Sequence, residues 1–190
     1  MMNEICFISS KLDGKGSVST YTIELARRLR KKYYIYILTG LFQTKLPLDI
    51  KIHKRPNFFK SQDLNMLING LLNTTYSKKI KKKYGIDILH TQFLNSLNTD
   101  VVTFHGCILE HYKRVGYKET KTHLQKLRFW MEKYAERKIV RNSKRIIAVS
   151  EGLKRELLKY YPLKKDKIRV IPNGVDIKKY APNLKKRNKE

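Results

Sequence analysis

Short runs rich in β-branched and aromatic residues alternate with amphipathic segments along nearly all of the 190 residues. That alternation restricts the fold to a parallel sheet joined by crossover helices, because each strand must be covered by a helix before the next one begins. "EICFISS" (4–10) reads as the first strand and "KLDGKG" as the loop after it. From Ser17 a helix is expected, with Val18, Tyr21, Thr22, Leu25, Ala26 and Leu29 at three- and four-residue spacing. "YYIYILTG" (33–40) is the second strand, and "DIKIHK" (49–54) alternates like a third, at an edge. The leucine-rich stretch "SQDLNMLINGLLNTTYSKKIKKKYG" has helical composition, with Gly70 as a break in it. "IDILH" (86–90) and "TDVVTFHG" (99–106) are short strands with little between them. Residues 120–143 form a long helix on the period of Leu124, Leu127, Met131, Tyr134 and Lys138/Ile139. "RIIAVS" (145–150) returns to strand, Ser150 caps the helix "EGLKRELLKYY", and "KIRVI" (167–171) is the last strand. The expected fold is therefore α/β, a Rossmann-like sheet of about seven strands with helices on both faces.

In such a sheet, ligands bind at the carboxyl ends of the strands. Small, polar or imidazole residues stand at every one of these ends: Ser9 and Ser10, Thr39 and Gly40, His90 and Thr91, His105 and Gly106, Ser150 and Glu151, Asn173 and Gly174. They should converge as one polar cleft. The loop "LDGKGSVST" opens a helix, where free N–H groups can meet an anion. It is no P-loop, since Lys15 precedes Gly16 where Ser or Thr is required, and no dinucleotide fingerprint, since Ser19 stands where the third glycine belongs. A generic anion site or an ordinary tight turn remain. His105 stands out, emerging from an apolar strand with Gly106 behind it, placed to hydrogen-bond a phosphate or a sugar hydroxyl. His90 is a weaker candidate, and His53, His111 and His123 carry no site signal. No Ser-His-Asp order, nucleophile elbow or carboxylate pair is present.

Lys and Arg outnumber Asp and Glu by 42 to 16, a formal charge of +26 that attracts polyanions: nucleic acid, anionic lipid or phosphorylated small molecules. The run Lys78, Lys79, Lys81, Lys82, Lys83 is either a contact for anionic headgroups or a solvated helix face. Cys6 and Cys107 lie apart in apolar runs without CxxC spacing, which argues against a zinc site and fits two buried thiols in a reducing cytoplasm. No metal and no resident cofactor are expected. No apolar run approaches the roughly 20 residues that span a bilayer, leaving peripheral membrane contact as the open option.

Taken in order, "GKGSVSTYTIELARRLRKK", "IDILHTQ", "VVTFHG", "KRIIAVSEGLKRELLKYY" and "KIRVIPNGVDIKKYAP" resemble the N-terminal half of glycosyltransferase family 4, retaining nucleotide-sugar-dependent enzymes of GT-B fold. The resemblance runs from about residue 4 to 182. It implies that Gly16 and Ser17 match the Gly-Gly pair near the donor phosphates and acceptor, with Ser17 replacing the second glycine. It further implies that His105 is the His of the family's T-x-H-G motif, catalytic and close to the transferred sugar, with Ser150 and Asn173 near the substrate. Asn173-Gly174-Val175-Asp176 matches the turn that crosses into a second domain. On this basis residues 1–172 are a glycosyltransferase N-terminal domain, and 173–190 a basic tail resembling an interdomain linker. The donor-binding half, with its Glu-x7-Glu motif, is not among these residues, so the chain alone should not transfer sugar. The implied partners are a nucleotide-sugar, a glycan or lipid-linked acceptor, and a second subunit supplying the missing half.

Two other classes compete. A basic nucleic-acid-binding module would account for the charge and the twelve tyrosines, although no RNP, KH or zinc-finger signature occurs. A non-catalytic assembly partner would expose an apolar patch around Pro172 and Val175.

Overall fold

The computed structural model describes residues 2–56, 62–116 and 122–177. Seven strands form a single parallel sheet: β1 (Glu4–Leu12), β2 (Tyr34–Phe42), β3 (Lys51–Lys54), β4 (Ile88–Gln92), β5 (Val101–Phe104), β6 (Arg145–Ala148) and β7 (Ile168–Val170). Their order is β3-β2-β1-β4-β5-β6-β7, and every pairing is parallel. The helices are α1 (Ser17–Leu29), α2 (Gln62–Tyr84), α3 (Ile108–Arg114), α4 (His123–Asn142) and α5 (Glu151–Tyr160). The expected strand count, helix-covered parallel sheet and edge position of β3 are all present.

β1 shows why the sheet is covered on both faces. Ile5 and Phe7 point into a cluster with Ile23 and Ala26 of α1, while Cys6 and Ile8 point the other way, into a cluster with Ile80 of α2. Alternate residues of one strand thus feed two separate cores, which is why its sequence is apolar throughout. A third cluster joins Val102, Phe104 and Ile146 of the sheet to Ile139 and Val140 of α4 and Leu153 and Leu157 of α5. Both thiols are buried and free, and burial pushes Cys6 up to about 12. The sheet ends are short: β3 has four residues, beginning and ending in lysine, and β7 has three.

Three expectations are corrected and one unforeseen helix is added. Gly70 does not break α2, which runs through it; a Cβ there would stand 3.3 Å from the Leu94 carbonyl oxygen, so the glycine admits a close backbone approach. A 3-10 turn, Phe93–Asn95, occupies the supposedly sparse link between β4 and β5. The helix α3, which periodicity did not signal, follows β5. The helix over 120–143 exists, beginning at His123 among the described residues, but its buried face is not the expected one. Leu127, Met131 and Tyr134 are exposed, as is Trp130, whereas Phe129, Glu132, Glu136, Ile139 and Val140 face inward. Two carboxylates hold that inner face because α3 and α5 present donors to them. Residues 120–121 of the expected helix and 178–190 of the expected basic tail lie outside the described residues.

Candidate functional site

The strand order reverses between β1 and β4, so the crossover connections leave that point in opposite directions and open a crevice at the carboxyl edge. The loop after β1 fills part of it with its own hydrogen bonds. The N–H groups of Asp13 and Gly14 both donate to Ser19 Oγ at 2.9 Å, and Lys15 N–H donates to Asp13 Oδ1 at 3.1 Å. The Lys11 ammonium, followed by the N–H groups of Lys15 and Gly16, holds the Asp13 carboxyl well below the usual carboxylate range. An anion cradle made by the loop is therefore not available, because its donors are spent internally. The first turn of α1 is what stays open. Its N-cap Gly16 carries no side-chain cap and no acidic residue follows in the first turn. A Cβ at Gly16 would meet nothing within 4 Å, leaving room beside a helix end that favours negative charge.

His105 leaves β5 half-buried, with its Nε2 3.1 Å from Gln92 Oε1 and its ring edge-on to Tyr21 of α1 at 5.3 Å between centroids. The Gln92 oxygen only accepts, so Nε2 carries the proton and Nδ1 keeps the lone pair when the ring is neutral. Burial lowers the His105 pKa, which favours that neutral form. The ring borders a depression of about 330 Å³ shared with Val18, Phe93, His111, Arg128 and Glu132. A group that offers one donor and one acceptor beside a cleft can orient a hydroxyl and follow a change of charge on it.

His90 differs. It is buried under Phe7, its Nε2 lies 2.8 Å from Thr103 Oγ1, and burial, with His105 second, pushes its pKa down to about 4. It supports the His105 region from within the core and does not reach the cleft. Because the folded pKa lies below the value of 6.5 for the free side chain, the unfolded chain binds the extra proton. The stability is full above pH 6.5 and is lost as pH falls toward 4, about 2.5 kcal/mol of it by pH 4.5. Urea unfolding of the wild type against His90→Gln should show the wild type losing that amount more between pH 7 and 4.5; parallel curves would refute it.

Ser17 and Asn173 come together, lining a second depression of about 570 Å³ with Lys15, Tyr21, Arg28 and Asp176. Tyr21 thus stands between this depression and His105. Ser150 is not part of either lining: its Oγ accepts the Leu153 N–H at 3.1 Å and caps α5, the structural role its position foretold. Among the basic run, Lys78, Lys79, Lys82 and Lys83 are exposed. Lys81 departs from the expectation of a free contact, since its ammonium pairs with Asp100 at 2.8 Å.

Three residues near the cleft were not singled out by sequence. His111 reaches the His105 depression from α3, a helix too short for a periodic signal. Phe93 adopts φ 50° at the end of β4, a left-handed conformation that a bulky residue holds only under strain, and its ring packs edge-on to Phe104. Glu136 is fully buried; its two oxygens accept the Ile108 N–H at 3.0 and 3.2 Å and the Tyr161 hydroxyl at 2.6 Å. It thereby fixes the backbone three residues beyond His105.

A seven-stranded parallel sheet of this order, with its crevice beside β1 and β4, is the Rossmann-like N-terminal half of a GT-B glycosyltransferase. The chain belongs to glycosyltransferase family 4, whose profile matches residues 18–179. Among solved structures it is similar to WaaG, a glycosyltransferase involved in lipopolysaccharide biosynthesis, with TM-score 0.77 and 13% identity over 98% of this chain and 52% of that one. It is also similar to sucrose-phosphate synthase from Thermosynechococcus elongatus, with TM-score 0.75 and 17% identity, again over 98% and 52%. Anabaena HepE, solved in complex with UDP, matches at TM-score 0.51 and 16% identity over 96% and 47%. The chain thus spans about half the length of each. No curated protein matches it.

Proposed function

We propose that this chain supplies the acceptor side of sugar transfer from a nucleotide-sugar to a glycan or lipid-linked acceptor, of the kind used in cell-envelope polysaccharide synthesis. The observation that carries this reading is the meeting of His105, Tyr21, Ser17 and Asn173 around the first turns of α1, at the carboxyl edge of a family 4 domain. In it, His105 is the catalytic histidine beside the transferred sugar. The uncapped turn at Gly16 and Ser17 faces the donor phosphates, and a separate donor-binding half closes over Asn173. Ile171, Val175 and Ile177 are exposed at that edge, an apolar surface for the second half to cover. Among the described residues the one Lys or Arg beside His105 is Arg128, which is paired with Glu132, so stabilising a departing nucleotide phosphate is assigned in this reading to the donor-binding half, without which transfer is expected to be lost.

Incubating the purified chain with a panel of nucleotide-sugars and lipid-linked acceptors should give no turnover, and transfer should appear when a donor-binding half is supplied. Robust turnover by the chain alone would overturn the division of labour.

Contact with an anionic membrane surface is part of the same proposal. The exposed Lys78, Lys79, Lys82 and Lys83 support it, together with the outer face of α4, where Leu127, Trp130, Met131 and Tyr134 stand among lysines and arginines. Among the described residues no helix is long and apolar enough to cross a membrane. The family match does not favour the nucleic-acid reading, and Tyr36 and Tyr161 are buried in the core and offer no stacking platform.

A further inference from the structure

A depression of about 710 Å³ lies between α4 and the segment leading from α5 into β7, apart from the residues around His105. Lys133, Arg137 and Arg141 enter it from α4 at successive intervals of four, so they form one row along the helix. Lys164 and Lys167 face them from the loop. Five of its eleven lining residues are cationic, against 42 of 190 in the whole chain, and none is acidic. The two depressions of the candidate cleft are mixed: Arg128 stands with Glu132 beside His105, and Lys15 and Arg28 with Glu24 and Asp176 beside Ser17. General basicity therefore does not account for the segregation seen here.

Two of the acids near this region are already engaged, and Asp166, next to Lys167 in the chain, is exposed and does not line the depression. Glu136 serves the Ile108 N–H and the Tyr161 hydroxyl, and Glu110 accepts the Tyr160 hydroxyl at 2.7 Å while pairing with Lys159 at 3.3 Å. The two tyrosine hydroxyls are thus turned to carboxylates, leaving ammonium and guanidinium groups as the charged donors. Leu109, Val140 and Leu163 supply an apolar floor, which strengthens the pull of these charges on an anion. Lys167 donates to the Arg141 carbonyl oxygen at 2.9 Å, and burial lowers its pKa. One cation facing the row is therefore partly desolvated and makes no ion pair with a carboxylate, although Asp166 precedes it in the chain. Two arginines one turn apart can each grip a phosphate through paired N–H groups, and the volume admits more than one phosphate.

We propose that the depression formed by Lys133, Arg137, Arg141, Lys164 and Lys167 is a binding site for a diphosphate-bearing ligand, free or as the headgroup of a lipid. This site is separate from the transferase cleft and does not depend on the acceptor-side reading.

The test uses the 190-residue chain, whose one tryptophan, Trp130, lies on α4 with Lys133 4.9 Å from its ring centroid. Titration with inorganic pyrophosphate at about 150 mM salt, where general surface attraction is screened, should give saturable binding by Trp130 fluorescence and calorimetry. Arg137→Ser/Arg141→Ser and, from the loop side, Lys164→Ser/Lys167→Ser should each weaken it about tenfold or more. Lys31→Ser/Lys32→Ser removes equal charge from an exposed turn elsewhere and should change it less than about twofold. Circular dichroism checks that each variant folds. Vesicles of phosphatidylcholine carrying a prenyl diphosphate, with phosphatidylglycerol vesicles as the monophosphate control, are then added: competition with pyrophosphate by the first alone assigns the site to a diphosphate lipid headgroup, its absence to a free ligand, and equal competition by both overturns the diphosphate assignment. No saturable binding, or equal weakening by the Lys31/Lys32 pair, overturns it.

Discussion

Glu136→Leu should lower the unfolding free energy by about 3 kcal/mol, because two buried donors lose their acceptor at once, each worth about 1–3 kcal/mol when left unpaired. The Ile108 N–H lies at the head of α3 and the Tyr161 hydroxyl at the foot of α5, and no other acceptor is recorded for either. Urea unfolding measures the loss, and amide exchange at Ile108 should accelerate beyond that of β5. A loss under about 1 kcal/mol would mean that the carboxylate is not the anchor its geometry describes. Glu136→Gln separates geometry from charge. Burial raises the Glu136 pKa to about 6, against the opposing pull of Tyr161 and the Ile108 and Leu109 N–H groups. The folded state then holds the extra proton, so this group's contribution is greatest below pH 4.5 and declines as pH rises through 6. The wild type should lose about 2 kcal/mol relative to Glu136→Gln across that window. That slope opposes the one from His90, and the two together flatten the acid side of the stability curve.

His105→Ala should cut sugar transfer about a hundredfold or more in any catalytically competent form of this chain, the loss expected when a positioned imidazole is removed. Its effect on stability should be small, since the ring is only half-buried and its recorded hydrogen bond is the single one to Gln92. The comparison variant is Gln92→Leu, which leaves the imidazole in place but frees its tautomer. It should shift the pH–rate profile while leaving substrate affinity near the wild-type value. Transfer by His105→Ala within about threefold of wild type would remove the imidazole from the proposed chemistry.

The sheet was legible because β1, β2 and β5 are apolar on both faces, a signal that survives without knowledge of neighbours. The helix α4 shows the limit. Its Leu127, Met131 and Tyr134 repeat at helical spacing, so the element was readable, but the same spacing named the wrong face. Beyond Arg128, one turn back on α4 and paired with Glu132 at 2.8 Å, it takes the donors on Ile108, Tyr112 and Tyr161 to explain why Glu132 and Glu136 lie inside. Those donors come from elements distant in sequence, and no local pattern encodes them. His111 was hidden for a related reason, since a helix of seven residues presents less than two turns of pattern. The glycine-rich loop was legible in shape and not in availability. Ser19, read only as a missing third glycine, turns out to be the acceptor that occupies its N–H groups. Ser17 and Asn173, by contrast, were matched to one family's cleft from motifs 156 positions apart, and they do line one depression.

The short ends of the sheet bear on how this domain can associate. An unpaired strand invites another chain to add to it, and long flat apolar edges are the usual seeds of sheet extension. Here one margin is a four-residue strand with a lysine at each end, and the other a three-residue strand, so a foreign strand would gain few hydrogen bonds and meet charge repulsion from a chain of the same sign. Strand addition is thus disfavoured at both margins. A partner must approach through helix faces or the carboxyl edge of the strands, where the exposed side chains of Ile171, Val175 and Ile177 stand.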